Sequence, residues 1–374
     1  MDNRFAQAYE NRHRIGAEWK NSGRKVLGYL YAAVPKELIY AADILPVQLC
    51  MSEETHSDAN ARLPEYVCDF AESVLAQGLD GTYDYLDGAV MAHLCEAARG
   101  FGGVWQLNVE KPFFHFLTPP AEVTPGALKY YFHELERLKK ALEQLSGNTI
   151  TPATLNDAID IYNENRTMIK QIYLMRKEEA FSVSGEETVD IIKSALVMPP
   201  EDHNEILSAY LQSLSERKMQ RPAIRLLLSC LIPEEVTFSD QNLMKILEEL
   251  GAEVVFDDLG WGSRYFWDLV EKRDDPFESL VNYYVGRIPC PYRFPIIPLA
   301  DYMKEKALEY KADAAIFLLP KFCDPVAFSL PAIEEKFDQE KIPYLRMETS
   351  HSMSLAAMKT RVEAFLEIVK RKKS

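Results

Sequence analysis

Residues 87–95 read DGAVMAHLC, five small or apolar residues closed by a histidine and a cysteine, and EAARG follows at once. A short continuous apolar run bounded by helix formers reads as a buried strand feeding a helix. The same reading fits residues 313–320, DAAIFLLP, which run into KFCDP. Working outward, KVLGYLY (25–31), residues 46–50 and residues 112–117 supply further strands around the first run. AIRLLLSC (223–230), AEVVFDDL (252–259) and PYLRMET (343–349) surround the second. Helical stretches at 4–21, 35–42 and 354–371 complete the alternation. Strands alternating with helices predict βαβ units and mainly parallel sheets.

Between these regions the pattern is helical: LERLKKALEQL, ATLNDAIDIYNENRTMIKQIYLMRK and NEILSAYLQSL carry apolar residues at helical spacing. SGNTITPAT interrupts them, with Thr151 as N-cap and Pro152 at the first helical position. The expected fold is therefore α/β. Residues 1–126 form an N-terminal helix plus a first Rossmann-like lobe, 127–220 a helical segment and 221–374 a second lobe. No short-period repeat or low-complexity tract is evident.

The 42 basic and 57 acidic residues give a formal net charge of -15, which argues against a nucleic-acid partner and leaves room for a local basic phosphate pocket. The polar start MDNRFAQAYENRHR has no apolar core of a signal peptide, and no run reaches the ~18 to 20 apolar residues that span a bilayer. A cytoplasmic protein without a membrane partner is expected. Its six cysteines then read as reduced thiols, metal ligands or catalytic groups before disulfides.

No C-x-x-C and no ferredoxin-like run links those cysteines. Position says more than spacing. Cys95 and Cys323 each follow an expected strand, where ligand sites of open α/β sheets lie. Cys68, in PEYVCDFAESVL, stands near a helix start, which lowers a thiol's pKa. Taken singly, each is better explained as a buried core residue. Cys50 and Cys230 close apolar runs and read as core. Cys290, held between prolines in GRIPCPYRFP, is a further candidate metal ligand or gating residue.

KVLGYLYAAVPKELIYAADILPV, YVCDFAESVLAQGLDGTYDYLDGAVMAHLCEAARG, IYNENRTMIKQIY, DDLGWGSRYFWDLV, RIPCPYR, LLPKFCDP and TRVEAFLEIV occur in this order along nearly the whole chain. Together they resemble the cluster-bearing B and C subunits of the benzoyl-CoA reductase and 2-hydroxyacyl-CoA dehydratase family. The resemblance implies a [4Fe-4S] cluster, or a larger iron–sulfur cluster, on Cys68, Cys95 and Cys323. It implies low-potential electrons passed to an acyl-CoA thioester, giving a ketyl radical. The expected partners are a paralogous cluster-bearing subunit, in a heterodimer or larger assembly, and a separate ATP-hydrolysing iron–sulfur activator. The chain itself lacks a G-x-x-x-x-G-K-[ST] loop. DDLGWGSRYF with RIPCP is more similar to the aromatic acyl-CoA reductase side. A β subunit of a radical (R)-2-hydroxyacyl-CoA dehydratase and a double-cubane-type small-molecule reductase are the alternatives.

Other groups carry competing readings. His93, two residues before Cys95, is a candidate proton donor on the same strand face, or a satisfied buried histidine. Glu53, with Glu54, is a candidate for polarising a substrate, or part of a solvated loop. In DDLGWGSR, Gly260 and Gly262 would let backbone N–H groups approach a ligand, and Arg264 is a candidate for substrate phosphate or carboxylate. A tight turn capped by Ser263 beside a solvated Arg264 explains the same residues. Glu96 and Arg99 read as a helix-surface pair, and Phe113, Phe114 and Phe116 as core.

Overall fold

The computed structural model describes residues 3–52, 57–237, 242–350 and 353–373. Among these residues, apolar runs become eight strands: β1 Lys25–Leu30, β2 Ile44–Gln48, β3 Gly88–Ala92, β4 Phe113–Leu117, β5 Ile224–Cys230, β6 Ala252–Leu259, β7 Ala314–Pro320 and β8 Tyr344–Thr349. They form two parallel four-stranded sheets, ordered β2-β1-β3-β4 and β6-β5-β7-β8. Each sheet therefore reverses its winding beside its first strand, between β1 and β3 and between β5 and β7. In open α/β sheets that switch point, beyond the strands' carboxyl ends, is where ligands bind. The α/β reading with two Rossmann-like lobes holds.

Strand bounds differ instructively from expectation. β3 ends at Ala92, so His93, Leu94 and Cys95 form the turn into the helix Glu96–Asn108 and do not continue the strand's alternation. β4 is an edge strand, so Phe113, Phe114 and Phe116 pack against the core clusters while staying half-buried. An edge strand lacks one covering neighbour, which apolar content alone cannot reveal.

The helix Pro152–Arg176 ties the lobes together. Thr151 caps it, accepting from Thr154 N at 3.2 Å while the Thr154 hydroxyl accepts from Thr151 N, with Pro152 in the first turn. Along one buried stripe, Arg166 pairs with Glu37 of the first lobe and donates to Tyr265 O of the second. Burial alone would raise the Glu37 carboxyl, yet Arg166 and the Tyr284 hydroxyl, 2.7 Å away, hold it below the usual range. Lower down, Tyr173 donates to Asp257 and Arg176 pairs with Glu253 at 2.9 Å. The helix Pro276–Gly286 returns from the second lobe and packs Phe277, Leu280, Val281 and Tyr284 among Leu27, Leu38 and Val90 of the first.

Candidate functional site

The carboxyl ends of β1 and β3 in one lobe, and of β5 and β7 in the other, open onto one cavity of about 110 Å³. Tyr31, Ala32 and Ala33 reach it after β1, Leu94 to Ala97 after β3, Leu231, Ile232 and Glu234 after β5, and Phe322 to Pro325 after β7. Both switch points thus face the same space. Cys68, Cys95, Cys290 and Cys323 all line it. Cys50 and Cys230 do not, and are fully buried in the core.

Cys68, Cys95 and Cys323 share a feature beyond the cavity: each is the N-cap of a helix, Asp69–Leu79, Glu96–Asn108 and Asp324–Gln339 respectively. A helix start carries unsatisfied N–H groups and partial positive charge, and so favours a thiolate. At Cys95 the interaction is explicit, with Ala98 N donating to Sγ at 3.3 Å. Burial raises the Cys95 thiol, while the N–H groups of Ala98 and Ala97 oppose that rise. Tyr31 stands within electrostatic reach of Cys95, Cys68 and Cys323; burial first, then these three thiols, push its hydroxyl well above its ordinary range. Tyr31 and Phe322, each just past a strand end, adopt left-handed backbone with φ of 72° and 64°. That conformation costs a bulky residue of the order of 1 kcal/mol. Such strain gathers at functional loops.

Arg264 is not solvated. It is buried beside the cavity, holds Asp258 at 2.6 Å and donates to Pro289 O at 2.5 Å. Burial disfavours its charge, but Asp258 more than offsets that and keeps the guanidinium protonated. The two glycines before it do not present N–H groups to a ligand: Gly260 N donates to Cys230 O at 2.9 Å and Gly262 N to Leu259 O at 3.1 Å. Gly260 is needed for approach instead, since a Cβ there would lie 2.3 Å from Leu231 O. Arg287 donates to Ala32 O, and Arg293 to Val285 O at 2.5 Å and Tyr284 O at 2.8 Å. Neither forms an ion pair among the described residues, so both bring uncompensated positive charge to the cavity wall.

His93 falls outside the lining. Its Nε2 is 3.4 Å from Glu96 Oε1 and its ring stacks on Phe116 at 6.0 Å between centroids. Glu96 also accepts from Arg99 at 2.8 Å, the expected exposed pair. Glu53 and Glu54 lie outside the described residues. Sequence reasoning misses Glu234 and Trp261, both buried and both on the cavity wall.

Among the described residues no three His, Cys, Asp or Glu side chains stand close enough together to hold a single metal ion. A cluster asks for something else, because it spreads its thiolates over several irons. Three thiols at helix starts around one mostly apolar cavity, with two unpaired arginines beside them, fit that donor set. No helix of the described residues is long and apolar enough to cross a membrane.

A family model described as 2-hydroxyglutaryl-CoA dehydratase, D-component, matches residues 31–369. The chain is 27% identical to the C subunit of the benzoyl-CoA reductase of Thauera aromatica, over 94% of this chain and 93% of the relative. It is 28% identical to the (R)-phenyllactyl-CoA dehydratase beta subunit of Clostridium sporogenes, over 98% and 97%. The (R)-2-hydroxyglutaryl-CoA dehydratase beta subunit of Acidaminococcus fermentans is 22% identical, over 94% of each chain.

Proposed function

Because the chain belongs to the 2-hydroxyglutaryl-CoA dehydratase, D-component family, we propose that it is the iron–sulfur subunit of an ATP-dependent, benzoyl-CoA reductase-like enzyme acting on an aromatic acyl-CoA thioester. The observation that carries this reading is the convergence of three N-cap cysteines on one cavity between two lobes. Cys68, Cys95 and Cys323 would hold a [4Fe-4S] cluster, with Cys290 on the same wall as a further candidate ligand. Such a cluster, when bound, supplies electrons at low potential.

The chain's own residues do the rest. Three helix starts stabilise thiolate charge. Arg287 and Arg293 offset further negative charge, and the apolar lining keeps water away, which strengthens each of these interactions. Arg264 is committed to Asp258, so its part is to hold the loop after β6 against the cavity; a direct grip on substrate phosphate would require breaking that pair. His93, paired with Glu96 outside the lining, is a weaker candidate for the proton donor than the sequence suggests.

The relatives named as subunits support a partner chain, which we take to be a paralogous cluster-bearing subunit. A separate ATP-hydrolysing activator is the proposed electron donor, and the cytoplasm the proposed compartment. The similarity to the phenyllactyl-CoA dehydratase subunit favours a second reading, a beta subunit of a radical (R)-2-hydroxyacyl-CoA dehydratase. The test is turnover by the anaerobic complex with partner, activator, ATP and reductant. Reduction of an aromatic acyl-CoA, with no loss of water from an aryl 2-hydroxyacyl-CoA, is expected. The opposite pattern moves the assignment to the dehydratase, and a protein without iron sinks both.

A further inference from the structure

Glu234 opens the short helix Glu234–Thr237 just beyond β5, at the second lobe's switch point, and is 1% exposed. It lines the cavity with Trp261. Glu234 Oε1 and Trp261 Nε1 both lack a hydrogen-bond partner among the described residues. The indole N–H faces the carboxyl without closing a full hydrogen bond, so on this wall of the cavity the carboxyl has, among the described residues, one polar neighbour and no cation in contact.

The charge state of Glu234 follows from its surroundings. No lysine, arginine or histidine forms an ion pair with it among the described residues. Its own backbone N–H draws the carboxyl down. So do Lys193 on the helix Gly185–Ala195 from a distance, the adjacent Trp261 indole N–H, and, again from a distance, Arg12 on the helix Arg12–Asn21. Tyr9, Cys50 and Tyr31 face it from the first lobe, and each is disfavoured as an anion by its presence. Burial outweighs the attractions and pushes the carboxyl above its usual range. A buried carboxylate without a contacting cation is costly, and protonation relieves that cost.

We propose that Glu234 enters the cavity as a neutral carboxylic acid and gives its proton to the negative charge created there during reduction. The inference rests on the redox reading above. A low-potential one-electron donor adds one electron, and hence one negative charge, to the substrate in the cavity. The Glu234 O–H bond breaks, the proton bonds to the anionic substrate atom, and a carboxylate remains beside the Trp261 N–H, with Lys193 attracting it from farther away. Solvent reprotonates Glu234 once the product has left the cavity. An acid kept neutral by an apolar site is a recurrent way to donate protons at neutral pH.

Two measurements test this on the full chain. Infrared difference spectra of the wild type against Glu234→Gln at neutral pH should contain a protonated-carboxyl band that the variant lacks; identical spectra overturn the proposal whether or not iron is present. Reductive titration of anaerobically reconstituted protein with an aromatic acyl-CoA bound, across a pH series, should give a midpoint potential for the bound thioester that falls as pH rises, because each electron it accepts is accompanied by one proton. The limit is about 59 mV per tenfold change in proton concentration for one electron. Glu234→Gln should be flat, and Glu234→Asp should keep the slope and so exclude misfolding as the cause. An unchanged slope in Glu234→Gln refutes the coupling. Protein that takes up no iron defeats the redox assignment, while the infrared band separately decides whether the acid is neutral.

Discussion

The two lobes use the same strand order around β1 and β5, yet they treat the chain after the second strand differently. In the first lobe the route from β2 leads through Cys68 directly into the helix Asp69–Leu79 and back to β3. In the second, the route from β6 sends the helix Pro276–Gly286 across to the first lobe's core before it passes Cys290 and reaches β7. Cys95 and Cys323 therefore occupy equivalent places, each capping the helix after the third strand of its sheet. Cys68 and Cys290 are only loosely matched, since Cys290 does not cap a helix. The repeated part of the fold supplies a matched pair of thiols, and the unmatched part supplies the joint between lobes.

The equivalence can be broken most strongly at the matched pair. Cys95→Ser and Cys323→Ser should each lower iron retention after anaerobic reconstitution by at least about tenfold, since losing even a supporting group around a metal costs that much. Cys230→Ser, in the core, should leave iron content unchanged. Unequal losses at Cys95 and Cys323 would mean that equal placement does not bring equal roles.

The joint is tested next. Arg166→Ala strands Glu37 without its cation, and breaking a buried pair this way costs about 3–5 kcal/mol. Urea denaturation should record that loss. A cost within the ~1 kcal/mol typical of exposed pairs would mean that the lobes do not depend on the strut.

The smallest effect concerns charge near β6. Burial first, then Glu253, raises the Glu248 carboxyl to about 7. Its folded value lies above its ordinary one, so the folded chain binds the extra proton. The contribution is therefore lost as pH climbs from about 4.5, the ordinary value, to about 7. Thermal midpoints should decline across that window, and Glu248→Gln should flatten the decline. An unaltered profile in the variant would assign the pH dependence elsewhere.

All eight strands are legible in the sequence because their apolar runs are short and bounded by turn residues. Their ends are less so. The run through Cys95 looks continuous, but the helix start claims Cys95 as its cap, and cysteine is not a residue that announces a cap. The turn then carries His93 away from the lining. Arg264 reads as free because its partner, Asp258, lies six residues back, and only the fold turns that spacing into contact. Glu234 gives one faint signal, its place just past β5, and its importance comes from burial that a sequence does not display.

Cys68 and Cys323 are separated by most of the chain, yet they line the same cavity. A chain still emerging from the ribosome has at most part of that set until the second lobe's third strand has been made and docked. Under the proposed role, loading the cavity would be an act of proofreading: a truncated or half-folded chain has no complete set of thiols to offer, so a group held by all three would report that both lobes have formed.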